Sequence, residues 1–393
     1  MEIWKRNLII LWISQFLAMA GMSAVVPFLP LFIRELGVTS INETARWSGL
    51  VFAGPFVVSF FITPLWGTLG DKYGRKMMTM RAIFGLAISQ FLIGFSQDVN
   101  QLFFFRILQG LLSGFYPAAL ALTAATTPKE KTGYALGMIQ SAGLAGNIIG
   151  PLIGGLLSDI LGFRNVFFVV GILVFFTGIF IAVFIKEPVR EKGSEITFSF
   201  IDNVKYVFKS KFLWIVAILI FCSSFGEALL RPIFVLYIES FHVEMKFLPT
   251  ITGALYSILG IFSTISSAFF SKKIDKLGIS KTLFLGASTT GLMYLIHYFV
   301  VDIYMLVPVR ILLGLGYGII IPVLFTALSK DIPEVRKGGI MGIGSSFQIL
   351  GNMIGPVTAG TLAAMIGLRP TFLFAGIIFI SIGLFSNFRL KKY

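Results

Sequence analysis

The sequence predicts an all-α polytopic membrane protein, with twelve transmembrane helices in two pseudo-symmetric six-helix bundles and both termini cytoplasmic. Three observations carry that fold class: bilayer-length apolar runs, a one-sided placement of basic residues, and an internal repeat. Of the 393 residues, 56% are hydrophobic and 13% charged. A soluble domain carries about 25% charged residues, so the composition already favours a chain that spans a bilayer.

A helix that crosses the hydrocarbon needs about 20 apolar residues. By that ruler the chain holds twelve spans, near Leu8–Ile33, Trp47–Leu69, Met77–Ser96, Leu102–Thr126, Tyr134–Leu161, Val166–Ile185, Phe212–Ile238, Phe247–Phe270, Thr282–Val301, Tyr304–Leu328, Gly339–Ile366 and Thr371–Phe388. The short alternating segments of a membrane β-barrel are not seen. The first run is too long for a signal-peptide core and lacks a small-residue cleavage site, so it is expected to stay as span one.

The net charge of +14 could point to nucleic acid, but its distribution assigns it to topology. With the N-terminus placed inside, 24 of the 32 Lys and Arg fall on the termini and loops of that side. Five fall on the other side, and Arg106, Arg231 and Arg310 lie within spans. This asymmetry is the positive-inside pattern. Cys222 is the single cysteine, which excludes an internal disulfide and a multi-cysteine metal site. His242 and His297, the two histidines, fall near predicted outer helix ends without a metal-ligand partner at useful spacing. The expectation is no metal, no cofactor and no nucleic-acid partner.

Gly146-Asn-Ile-Ile-Gly150-Pro151 recurs 205 residues later as Gly351-Asn-Met-Ile-Gly355-Pro356, and Arg106-x-x-x-Gly110-x-x-x-Gly114 as Arg310-x-x-x-Gly314-x-x-x-Gly318. Asp71-Lys72-x-Gly74 returns as Asp275-Lys276-x-Gly278. Spans two to six therefore echo eight to twelve. This sets bundles at 1–187 and 211–393, joined by a charged cytoplasmic linker at 188–210 with a short amphipathic helix around Ile196–Phe208. Transporters built from such repeats bind substrate near the midplane and alternate access by rocking.

Between spans two and three lies Gly67-Thr-Leu-Gly-Asp71-Lys72-Tyr-Gly74-Arg75-Lys76, whose glycines permit a tight turn. The pattern resembles the loop between helices two and three of the major facilitator superfamily. Trp4-Lys-Arg-Asn-Leu8, Pro27-Phe-Leu-Pro-Leu31, Leu36-Gly-Val-Thr39 and Trp47-Ser-Gly49 extend the resemblance to its twelve-helix drug:proton antiporter group, of the MdtG-type bacterial multidrug efflux kind. An anion is stabilised at a helix N-terminus. Asp71, with Arg75 and Lys76 nearby and Gly67 and Gly74 shaping the turn, is therefore the candidate gating latch onto the start of span eleven near Gly339.

Gly146, Gly150, Pro151, Gly154 and Gly155 place small residues where helices approach closely. Generic packing explains the glycines. The whole pattern is similar to the superfamily's antiporter signature, which implies tight contact with span eight on the outer side. Pro27 and Pro30 each remove a helix donor and bend span one. The resemblance implies that this segment lines the cavity.

Charges inside apolar runs are costly and are functional candidates. Glu227 and Arg231, four apart on span seven, are placed to pair. Glu227 is the candidate proton-binding group, and a permanent structural ion pair is the competing reading. Arg106, with Gln109, resembles a superfamily motif whose arginine influences proton transfer, against the alternative of a cation snorkelling to the outer interface. Arg310 is its repeat partner. Gln15, Gln140, Asn147, Gln348 and Asn352 are candidate cavity amides, each of which could equally bond a neighbouring helix.

These readings converge on a monomeric secondary transporter in the bacterial inner membrane, with a small-molecule substrate, protons as coupling ion and the lipid bilayer as its surroundings. The leading function is proton-coupled efflux of lipophilic or amphipathic molecules by alternating access. The alternative is a specific metabolite or siderophore carrier on the same fold. No nucleotide loop, metal cluster or activated nucleophile supports an enzyme.

Overall fold

The computed structural model describes residues 2–112, 114–187, 200–271, 277–330 and 332–389, with no strand among them. Within helices, the side chains of residues 64, 67, 68, 71, 200, 201, 271, 334, 335 and 389 are outside the description. Eleven helical stretches among the described residues are long and apolar enough to cross a membrane. Their uncovered faces are apolar: Phe61, Ile160, Met365 and Phe388 are each more than two-thirds exposed. An exposed surface of that kind is at home in hydrocarbon.

Two compact units are resolved, one of Met1–Glu191 with Ile238–Ser257 and one of Lys192–Tyr237 with Ile258–Tyr393. In the first, span one is two helices, α1 (Ile3–Ala24) and α2 (Leu29–Glu35). A proline lacks the N–H that an α-helix needs, and the Pro27–Pro30 pair breaks the span instead of bending it. Next come α3 (Ile41–Tyr73), α4 (Arg75–Phe95), α5 (Val99–Leu112), α6 (Phe115–Thr126), α7 (Thr132–Leu161) and α8 (Phe163–Phe184). Phe28 and Phe32 pack on Phe167 in the core beneath the break.

The remaining helices are α9 (Phe200–Lys209), α10 (Lys211–Ala228), α11 (Phe234–Glu239), α12 (Leu248–Ser271), α13 (Ile279–Phe299), α14 (Leu306–Ser329), α15 (Glu334–Ile366) and α16 (Leu368–Arg389). The short linker helix falls at α9, and residues 188–199 lie outside the described chain. Asn203 of α9 is buried against Gly339, and Arg336 lies over the Tyr206 ring at 5.0 Å. Span nine, α13, is helical but is not one of the eleven apolar stretches. Its buried Thr282 and Thr290 donate to their own helix's carbonyls, at Gly278 and Gly286. Interior position rather than hydropathy accommodates these polar residues.

The duplication is visible in the packing. α1 lies along α7 as α10 lies along α15, and α4 along α8 as α13 along α16. It also extends to spans one and seven, because α10 and α11 break around Pro232 as α1 and α2 break around Pro27. The turn after α3 has φ +97° and ψ 148° at Gly74, and Gly278 repeats it at φ +79° and ψ 153°. Asp275 and Lys276 lie outside the described residues. One difference breaks the symmetry: Gly114, at φ +104°, separates α5 from α6, whereas its counterpart Gly318 sits inside the unbroken α14.

The expected hinge loop at 67–76 therefore shrinks to one residue. α3 continues through Gly67, Gly70 and Asp71 to Tyr73, and α4 starts at Arg75. A side chain at Gly74 would force a conformation costing about 1–3 kcal/mol. Gly74→Ala is expected to lower thermal stability in detergent by that amount. Gly137→Ala, at a helical glycine with nothing within 4 Å, should be neutral or stabilising by up to about 1 kcal/mol. Equal melting shifts for the two would contradict this assignment.

Candidate functional site

Glu187 holds the start of α4. Its Oε1 accepts the Arg75 backbone N–H at 2.9 Å and its Oε2 accepts the Lys76 N–H at 2.9 Å. Free N–H groups at a helix start favour such an anion. The two basic side chains are committed nearby, with Lys76 Nζ donating to the Ala182 carbonyl at 2.7 Å and Arg75 Nη1 to that of Ala121 at 3.1 Å. Arg81 lies over the Trp66 ring at 3.6 Å and donates to the Leu112 carbonyl. Trp66, Arg75 and Arg81 line a cleft of about 300 Å³ that reaches Gly114. The Asp71 side chain, the anionic half of the expected latch, lies outside the described residues.

The glycines of α7 divide their labour. A Cβ on Gly146 would lie 2.6 Å from the Phe16 carbonyl oxygen, and one on Gly150 2.9 Å from Ala20 Cα. Gly154 meets the backbone of Ala24 in the same way. These three face α1. Gly155 instead faces the start of α12, where its Cβ would lie 2.8 Å from Thr250 Cα, and Gly253 returns the contact against Pro151. The second copy repeats the first pattern, with Gly351 and Gly355 against Phe225 of α10. Helices in hydrocarbon associate by close packing, and these glycines allow it.

Glu227 and Arg231 form a two-pronged ion pair, with Arg231 Nε donating to Oε1 at 3.0 Å and Nη2 to Oε2. Glu227 sits in the last turn of α10, while Arg231 lies in the turns that follow it, not on a continuous helix face. Both side chains remain partly open, 17% and 30% exposed, and Tyr317 is within electrostatic reach of both.

Arg106 points inward: Nε donates to the Val51 carbonyl at 3.1 Å and Nη1 to Gln109 Oε1 at 2.6 Å. It lies mid-way along α5. Arg310 is buried, its guanidinium 3.4 Å from the centroid of Phe234.

The candidate amides separate by exposure. Gln140 and Asn147, two turns apart on α7, are exposed, and Gln348 and Asn352 on α15 are half-buried. Gln15 is fully buried against Gly143, and Pro27 and Pro30 are buried at the break in span one.

Sequence reasoning missed several polar contacts. Glu187, directly before Pro188 at the end of the first bundle, was given no role from the sequence. Arg34 Nη1 donates to Glu239 Oε1 and Oε2 at 2.7 and 2.8 Å, and Asp159 accepts from Thr250. His297, stacked on Phe372 at 5.0 Å, places Nδ1 2.7 Å from the Met293 carbonyl oxygen and is buried in the last turn of α13, near the helix end where the sequence put it. The opposite charges at 34 and 239, one repeat length apart, were the available signal.

A duplicated set of apolar helices with these turns and glycine contacts is the architecture of a membrane transporter. The description of the Major Facilitator Superfamily matches residues 11–303 and, separately, 216–392, and the chain belongs to that superfamily. It is 33% identical over 392 residues to the multidrug resistance protein MdtG of Enterobacter lignolyticus, covering 99% of this chain and 93% of the relative. It is 35% identical over 386 residues to MdtG of Proteus mirabilis, covering 96% and 94%. Among solved structures, an inward-facing, unoccupied bacterial homolog of the human lysosomal transporter Spinster superposes with a TM-score of 0.82 at 14% identity, covering 98% of this chain and 97% of that one. The nucleoside transporter NupG gives 0.81 at 14% identity, covering 98% and 99%. At such identities these structures speak for the fold.

The carboxylate at the start of α4 generates a test. Glu187→Ala removes two charge-assisted bonds and is expected to destabilise the protein by about 1–2 kcal/mol. Glu187→Gln, which keeps one acceptor, should lose less. Thermal unfolding of the purified variants measures both, and a parent-like Glu187→Ala would show that the contact contributes nothing.

Proposed function

We propose that this chain is a proton-coupled antiporter that exports lipophilic or amphipathic small molecules across the bacterial cytoplasmic membrane by alternating access. The observation that carries the reading is the 33–35% identity, over nearly the whole chain, to proteins named for multidrug resistance. The superfamily match makes the chain a secondary transporter, and the charged pair on α10 and its following turn supports the coupling.

In this proposal Glu227 carries the proton. Ionised, it holds Arg231; protonated, it gives up the ion pair and leaves the guanidinium to other partners. A carboxyl group poised between burial and a neighbouring cation can alternate in this way. Arg106 and Arg310 are proposed as further members of the coupling network, and Gln140, Asn147, Gln348 and Asn352 as contacts for substrate. The gating roles of Gly67, Asp71, Gly74, Arg75 and Lys76 belong to the same proposal.

Twelve crossings are proposed by adding α13 to the eleven apolar stretches. Both termini are then cytoplasmic, as the excess of Lys and Arg on that side supports. Bundles at 1–187 and 211–393, a linker at 188–210 and a monomer in the lipid bilayer complete the reading.

Proteoliposomes with an imposed pH gradient test it. The parent protein is expected to exchange cationic or lipophilic dyes for protons. Glu227→Gln should lose at least 90% of substrate-induced proton movement, about the tenfold drop of a 1.4 kcal/mol penalty. Full proton-driven exchange by that variant would remove Glu227 from the mechanism. One saturable natural ligand with no dye transport would favour a specific carrier instead.

A further inference from the structure

The segment Ile238–Ser257 belongs by sequence to spans seven and eight, yet it is part of the compact unit built from the first half of the chain. Four contacts within that unit hold it. At its start, Glu239 of α11 receives both carboxylate bonds from Arg34 of α2 at 2.7 and 2.8 Å, with the two side chains only 26% and 20% exposed. At the start of α12, Asp159 accepts from the Thr250 hydroxyl. One turn further, the backbones of Gly155 with Thr250 and of Gly253 with Pro151 touch. Ser257 Oγ closes the series on the Ile148 carbonyl at 2.5 Å.

The first of these contacts differs from ordinary packing in two ways. Glu239 sits at the C-terminal end of its short helix, where the helix field opposes a negative charge, so Arg34 supplies its stabilisation. Arg34 and Glu239 are also separated by 205 residues, the period of the duplication, and therefore occupy equivalent positions in the two repeats. A charged pair set at equivalent positions joins the repeats and can be undone without unfolding either one.

We propose that Arg34–Glu239, seconded by Asp159–Thr250, is the releasable clasp of the outer gate. Alternating access requires the end of the first-half unit opposite the N-terminus to open, and Ile238–Ser257 is what closes it. Release of the clasp lets this segment leave the first-half unit. Arg34 and Glu239 act as positioning residues for transport, not as contacts for substrate. The inference rests on the transport reading and adds to it which residues hold the gate.

The test uses full-length protein in membrane vesicles, on a Cys222→Ser background with one reporter, Ile251→Cys, half-buried on α12 beside Thr250. A membrane-impermeant thiol reagent is applied to each face in turn. Glu239→Arg sets two cations against each other and is expected to raise reporter labelling from the outer face several-fold and to slow exchange. The swap Arg34→Glu with Glu239→Arg is expected to return both readings toward the parent. Where charge reversal prevents folding, Glu239→Gln keeps the shape and should shift labelling in the same direction.

Parent-like labelling in a folded Glu239→Arg or Glu239→Gln protein would overturn the proposal. So would a folded swap that stays as open as the single reversal. The labelling needs no substrate. A parent that exchanges no dye would therefore count against the transport reading alone, while the labelling comparison still decides the clasp.

Discussion

Close backbone approach along α7 is the constraint on which the first-half unit depends. Lipid tails are as apolar as leucine, so no hydrophobic drive pushes helices together inside a bilayer. Association there comes from dispersion and from hydrogen bonds between groups that would otherwise be stranded. Gly146, Gly150 and Gly154 bring α1 into backbone contact, and Gly155 does the same for the start of α12. Ser23, bonded to the Gly146 carbonyl at 3.1 Å, adds a polar link across the first of these contacts. One helix thus touches a permanent neighbour on one side and a removable one on the other.

Polar groups elsewhere follow the same economy. Backbone groups at a helix break need partners in hydrocarbon, and spans one and seven supply them locally. After α10, the N–H groups of Leu229, Leu230 and Arg231 return to Phe225, Glu227 and Ala228. After α1, Val26 and Phe28 return to Ser23 and Val25. The breaks are therefore tight turns rather than loops, and each leaves a charged residue close by at its far end, Arg34 or Glu239.

Much of the fold was legible because membrane insertion imposes strong, local rules. Length and apolarity marked the spans, and the repeated Gly-Asn-x-Ile-Gly-Pro marked the duplication, which the matched contacts of α7 and α15 express physically. The Glu227–Arg231 pairing followed from spacing alone. Other features were hidden for identifiable reasons. α13 is less apolar than its neighbours because packing inside the second unit, not hydropathy, makes its polar residues tolerable. The width of the hinge could not be read from three glycines, since two of them are compatible with helix and only Gly74 adopts a positive φ. Glu187, Arg34 and Asp159 find partners more than 90 residues away, and no local pattern announces such contacts.

The pairing of positions 34 and 239 also bears on descent. Were the two repeats identical, as in an ancestral homodimer, these equivalent sites would carry the same residue and would confront arginine with arginine or glutamate with glutamate. Attraction there presupposes divergence: one copy kept or gained a cation and the other an anion. From that point the halves ceased to be interchangeable, and neither could be replaced by a second copy of its sister.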